Sequence, residues 1–154
     1  MSAERIKEQL EAAGIKRSLL QLGEWVRTVP EAAAAIGVAD GQVAKSILFQ
    51  SKDCFALFVA AGDNKISNRK VRKILAAKSA RIALPETVLH VTGYAVGAVS
   101  PLGLLEPLPI FIDETLARYG EIYAGGGSQQ ALLPLSYKEL VLLTGGRAVD
   151  LKAE

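Results

Sequence analysis

The stretch VAKSILFQSKDCFALFVAA, residues 43–61, decides how the chain is read. Val43 to Gln50 and Cys54 to Ala61 are runs of β-branched, aromatic and aliphatic residues, and the polar Ser51-Lys52-Asp53 between them suits a turn. Together they predict an antiparallel hairpin. Side chains alternate along a strand, so Lys45 shares its side with Val43, Ile47 and Phe49, and the alternation points it toward the core face. A lysine placed there either snorkels to a rim or gives its ammonium to an anion or carbonyl in a pocket.

Working outward, Ile6, Leu10 and Ala13 recur at helical spacing before Gly14, which predicts an amphipathic helix lying against the core. Thr28-Val29-Pro30-Glu31 has the form of a capping box with proline in the first turn, and the alanines 32–35 and Gly37 complete a second, short helix. Beyond the hairpin, Ser67 caps a third helix whose Val71, Ile74 and Leu75 form an apolar stripe opposite Arg69, Lys70, Arg72 and Lys73. Arg81 to Leu84 reads as a short strand, and Pro85 to Leu89 as one or two helical turns stopped by Gly93. Gly93 to Gly103 is glycine-rich, Pro109 to Asp113 is a strand, and Ile122 to Gly127 is a strand running into a glycine loop. Ser136 and Glu139 form a second capping box before Leu140 to Leu143, ended by Gly145-Gly146. No repeat or linker divides the chain, so residues 1–154 are expected to form one α+β domain around a mixed sheet.

Composition narrows the function. Half of the 154 residues are hydrophobic and 22% are charged, with a mean hydropathy of +0.25, which suits a globular core. The net charge of +2 argues against a generally polybasic protein, and no DNA partner is expected. The charge is polarised, however. Residues 65–81 hold seven basic residues and no acidic one, leaving 11 basic against 16 acidic elsewhere, a net −5. The helix bearing Arg69, Lys70, Arg72 and Lys73 is therefore either a phosphate-docking surface or a solvated lysine-rich face. One cysteine and one histidine cannot furnish a Cys/His zinc site or a disulfide, and no metal or cofactor is implied. No run of residues approaches a membrane span, and the charged N-terminus is unlike a signal peptide, so a cytoplasmic setting is expected.

Few side chains offer chemistry. Gly93 to Gly103 has neither dinucleotide-binding nor P-loop spacing; such a loop can turn backbone N–H groups toward a carbonyl or phosphate oxygen, or simply make a tight turn. The same holds for Gly125-Gly126-Gly127. Cys54 is expected to be a small buried thiol and His90 a partly buried structural histidine. Trp25 has no patterned partner.

The order of T-x-x-E-A-A (Thr28 to Ala33), Q-V-A-K-S-I-L-F (Gln42 to Phe49), T-G-Y-A-V-G-A-V-S-P-L-G (Thr92 to Gly103), P-I-F-I-D (Pro109 to Asp113) and Y-A-G-G-G (Tyr123 to Gly127) resembles the YbaK/ProX family. These are free-standing relatives of the editing domain of bacterial prolyl-tRNA synthetases. The resemblance implies a mixed sheet curled toward a barrel with surrounding helices. It also implies a trans-acting deacylase that hydrolyses the ester between a wrong amino acid and the tRNA 3′ end, with a prolyl-tRNA synthetase as a further partner; nothing in the sequence sets the oligomeric state, and the monomer is the default. It would make Lys45, Gly97 and Pro101 the catalytic set, and Thr28, Ala98, Val99, Ser100, Gly103 and Gly126 the substrate-binding set. Arg69, Lys70, Arg72 and Lys73 would meet the acceptor stem. Ala98 stands where many relatives have a second glycine, and Leu104 where some have a histidine; both bear on which amino acid is accepted. An aminoacyl ester is already activated, so donors for its carbonyl and a placed water suffice without a nucleophilic side chain. The rival reading is a noncatalytic module that holds a tRNA end or a nucleotide.

Overall fold

The computed structural model describes residues 2–153. Helix α1 (Ser2–Ala12) buries Ile6 and Leu10 in the main core, as its pattern requires. Ala13 is exposed instead, because the helix ends one residue earlier; Ile15 packs on the core after the chain turns at Gly14, whose φ of +71° suits glycine. Helix α2 (Val29–Ile36) begins at Thr28, whose Oγ1 accepts from Glu31 N–H, and ends at left-handed Gly37.

The expected hairpin forms from β2 (Ala44–Ser51) and β3 (Cys54–Ala61), paired antiparallel from Ala44↔Ala61 to Ser51↔Cys54. After it come α3 (Asn68–Leu75), β4 (Arg81–Ile82), α4 (Pro85–Thr92), β5 (Ile110–Asp113), β6 (Ile122–Gly125), β7 (Ala131–Leu135), α5 (Tyr137–Thr144) and β8 (Arg147–Val149). A mixed five-stranded sheet runs in the order β4-β2-β3-β5-β8, with β3, β5 and β8 parallel and the remaining pairs antiparallel. A short β1 (Leu20–Gln21) joins β7 and β6 in a smaller antiparallel sheet. The strands therefore divide into two sheets, seamed at a parallel bridge between Val43 and Tyr123. This seam positions the site.

Both faces of the mixed sheet are covered. The main core gathers Ile6, Leu10, Leu48, Leu57, Val59, Ile112, Leu116, Leu133 and Leu140. A second cluster under α2 holds Val26, Ala32, Ala33, Val43 and Leu132. The third, under α3, joins Val71 and Leu151 to Phe49 and Phe58, whose rings meet edge to face with centroids 5.2 Å apart. No helix among the described residues is long and apolar enough to cross a membrane.

Two further residues differ from expectation. Cys54 is exposed, because it sits at the tip of the hairpin where β3 begins. His90 is exposed in the last turn of α4, whose buried face is Val88, Val91 and Thr92.

Candidate functional site

A cavity of about 410 Å³ opens beside the seam of the two sheets. Strand β4 pairs with β2 only at Phe49 and Gln50, and Ala83 N–H then reaches Leu48 O, so the edge of β2 ahead of Leu48 forms a cavity wall that β4 does not cover. The segment 26–29 and Ala32, Ile82 with Ala83, Val88, and the loop residues Val96, Gly97 and Val99 add further walls. Gly125, Ala131 and Leu132 of the smaller sheet and Ser128 of the loop between β6 and β7 complete it. Most of these residues are aliphatic, and none is His, Cys, Asp or Glu.

Lys45 is half-buried in this wall. The strand alternation holds, but it sets Lys45 between the second and third clusters, where Val43 and Phe49 lie, rather than in the main core. Its ammonium has no hydrogen bond or ion pair among the described residues. Burial pushes it below the ordinary lysine value of 10.5, while the charges of Asp113 and Asp63 pull it back up. Asp113 cannot serve as its close partner because its oxygens are occupied. Oδ2 accepts from Ala61 N–H (3.1 Å) and Asn64 Nδ2 (3.0 Å), and Oδ1 accepts from Thr115 N–H (3.0 Å) and Thr115 Oγ1 (2.8 Å). An unpaired ammonium in an apolar wall is costly to the fold and is well placed to meet an anionic or carbonyl oxygen.

The glycine-rich loop supplies the second feature. Gly97 has φ +88°, a conformation few other residues adopt, and Ala98 N–H closes a turn onto Ala95 O. The N–H groups of Gly97 and Val99 find no acceptor among the described residues. The loop is held from behind: Tyr94 Oη donates to Leu102 O (2.6 Å), and Ser100 Oγ accepts from Leu102 N–H (3.2 Å). Helix α1 grips its end, since Gly103 N–H donates to Gln9 Oε1 (2.8 Å) and Gly103 O accepts from Arg5 Nε (2.7 Å). From the other side Gly125 lies so close that a β-carbon there would meet Val99 O at 2.2 Å.

Of the residues expected from sequence, Lys45, Gly97, Thr28 and Val99 line the cavity. Thr28 Oγ1 is already engaged by the α2 cap, where it also donates to Glu31 Oε1. Ala98, Ser100, Pro101 and Gly103 are buried behind the loop and fix its path. Gly126 is likewise structural in placement, with its N–H bonded to Ala131 O and no room for a β-carbon against that residue's backbone. None of Arg69, Lys70, Arg72 and Lys73 reaches the cavity. Lys70 Nζ is tied to Asp150 Oδ2 (2.7 Å) and Lys152 O, and Arg72 Nε to Asn68 Oδ1. Sequence reasoning missed Arg27, Ile82 and Ser128 in the lining, and named Gly125 only as part of a glycine loop. Gly125 stood inside the Y-A-G-G-G motif, Arg27 beside the capping threonine, and Ile82 carried no signal.

The chain is 40% identical to the protein YwhH of Bacillus subtilis over 114 residues, covering 73% of this chain and 72% of that one. It is 32% identical over 100 residues to a proline–tRNA ligase of Bacillus licheniformis, covering 65% of this chain but only 18% of the ligase. The crystal structure of a candidate trans-editing enzyme for prolyl tRNA synthetase superposes with a TM-score of 0.93 at 38% identity, over 99% of this chain and 98% of that one. The model of the aminoacyl-tRNA editing domain matches residues 23–143, which include every wall of the cavity. The cavity beside the seam is thus part of the region that defines the match, and the chain belongs to the aminoacyl-tRNA editing domain family.

Proposed function

We propose that this protein acts in trans on mischarged aminoacyl-tRNA and hydrolyses the ester at the tRNA 3′ end. The observation that carries the reading is the meeting, in one apolar cavity, of the unpaired Lys45 ammonium with a loop whose Gly97 and Val99 N–H groups are unsatisfied. Lys45 holds the terminal nucleotide or the ester region by its charge. The loop donors take the negative charge that develops on the carbonyl oxygen as water adds. No carboxylate, histidine or thiol lines the cavity, and Lys45 is assigned to holding the substrate by its charge, so the proton of that water passes to the substrate, for example through a ribose hydroxyl. The bond from acyl carbon to ribose oxygen then breaks. The products are the free amino acid and tRNA with its terminal hydroxyls restored. Pro101, Ala98, Ser100 and Gly103 keep the loop in place, and Thr28 and Gly126 hold adjoining walls. The α3 cations Arg69, Lys70, Arg72 and Lys73 lie outside the cavity and would meet phosphates of the acceptor stem. The reaction belongs in the cytoplasm, beside a prolyl-tRNA synthetase.

The lack of a carboxylate, histidine or thiol in the cavity also favours a second reading, a noncatalytic module that holds a tRNA end. Turnover separates the two. The deacylation rates of wild type and Lys45→Ala are to be measured against alanyl, cysteinyl and seryl forms of tRNA-Pro. Fast loss of one ester that vanishes in a folded Lys45→Ala variant supports the deacylase. Esters that outlive their spontaneous hydrolysis in the presence of the protein support the binding module.

A further inference from the structure

Trp25 is the only tryptophan in the chain and is 59% exposed. It joins none of the three core clusters and makes no ring–ring or cation–ring contact among the described residues. The fold gives it no packing role, yet its next neighbours, Val26 and Arg27, both line the cavity. Trp25 itself is not part of the lining, but two large apolar side chains of the cavity wall also face solvent: Ile82 is 59% exposed and Val96 is 55% exposed. The rim of the mouth therefore carries uncovered apolar surface at Ile82 and Val96 and a cation, Arg27, and adjacency in the chain sets Trp25 beside it. Glu24 and Glu31 lie close in the chain, so charge at this mouth is mixed and phosphate attraction alone is weak there.

We infer that this rim is a platform for the unpaired nucleotides at the 3′ end of the substrate RNA, with the Trp25 indole as the stacking surface and Ile82 and Val96 receiving the terminal base. The inference rests on the deacylase reading for the identity of the RNA. Proteins hold unpaired nucleotides by stacking bases on aromatic rings beside a cationic path, and this works for any base because each has a π face. Arg27 at the rim and Lys45 deeper in the wall supply that path. The basic helix α3, off the cavity, is left to contact duplex phosphates farther from the ester.

Because Trp25 is the sole indole, its emission reports this position alone. The full chain is titrated with the trinucleotide CCA bearing a free 3′ hydroxyl, and in parallel with an abasic sugar-phosphate of equal length. Saturable quenching by CCA and none by the abasic strand is expected. In deacylation assays, Trp25→Ala should raise KM about 5- to 150-fold with the loss falling on KM rather than kcat, and Trp25→Phe should recover most of it. Absence of saturable CCA quenching overturns the platform, as does an unchanged KM for folded Trp25→Ala with an active wild type. If no ester turns over but CCA still quenches Trp25, the deacylase reading fails and the platform stands.

Discussion

Substituting Gly125 with alanine asks whether the backbone of the glycine-rich loop belongs to the machinery or merely borders it. The added β-carbon would sit 2.2 Å from Val99 O and 3.0 Å from Val99 C, whereas ordinary contact begins at 3.4 Å. Both atoms are backbone, so no side-chain rotation relieves the clash, and the loop must move by about 1 Å relative to β6. Overpacking of this kind costs about 1 to 3 kcal/mol, which for a domain of this size lowers the unfolding temperature by roughly 2 to 12 °C. The chemistry is more sensitive than the fold, since a 1 Å misplacement of groups aimed at a reacting centre can cost about 100-fold in rate. The expected result is a folded protein with single-turnover deacylation down by about that factor. Gly120→Ala is the control, because nothing lies within 4 Å of its added carbon, and it should match wild type in both measurements. A folded Gly125→Ala protein with a wild-type rate would refute the role given to the loop.

Burial disfavours the charged form of Lys45, so the folded protein holds that proton less tightly than the unfolded chain does. The resulting destabilisation is fully present below the folded pKa and fades as pH rises toward 10.5. Lys45→Met should accordingly raise the unfolding temperature at neutral pH, by a margin that shrinks in alkali, while abolishing turnover. Enzyme-dependent hydrolysis, corrected for the spontaneous reaction, should fall at lower pH than an ordinary lysine would require. Asp113→Ala strands the donors of Ala61, Asn64 and Thr115 in a buried site and should cost about 3 kcal/mol, read as a lower urea midpoint. Replacing Arg69, Lys70, Arg72 and Lys73 together by alanine should flatten the salt dependence of tRNA binding by about 0.7 to 0.9 log units for each phosphate that the helix no longer neutralises. An unchanged slope assigns that face to solvent alone.

Elements with strong local signals were legible in the sequence. Ser136 starts α5 with a complete capping box, Thr28 starts α2 with its Oγ1 accepting from Glu31 N–H while the return bond to Glu31 comes from Arg27 N–H, and the hairpin pairs across Lys52-Asp53. Strands β7 and β8 were not legible. Pro134 interrupts β7 and reads as a strand breaker, yet it pairs opposite Tyr123 in the ladder, while β8 is only three residues long and its pairing with β5 is set by distant contacts. At the site, the period of β2 announced an unusual lysine but not what surrounds it. Its half-burial depends on the Val43–Tyr123 seam, a contact between segments 80 residues apart in number that no local pattern encodes. Cys54 misled for a related reason: an apolar run suggests burial, and only the register shows that its first residue pairs with Ser51 at the exposed tip of the hairpin.

The grip of α1 on the loop has a consequence for how this fold can be cut and joined. Residues 2–12 lie outside the segment that defines the family, yet Arg5 and Gln9 hold both backbone groups of Gly103, and Gln9 Nε2 extends the tie to Leu143 O. A minimal unit trimmed to residues 23–143 would keep every cavity wall and lose the clasp that sets the loop's far end. Grafting this unit onto another protein therefore calls for a surrogate for that helix at the junction, since the family boundary marks where sequences align and not where the working loop is anchored.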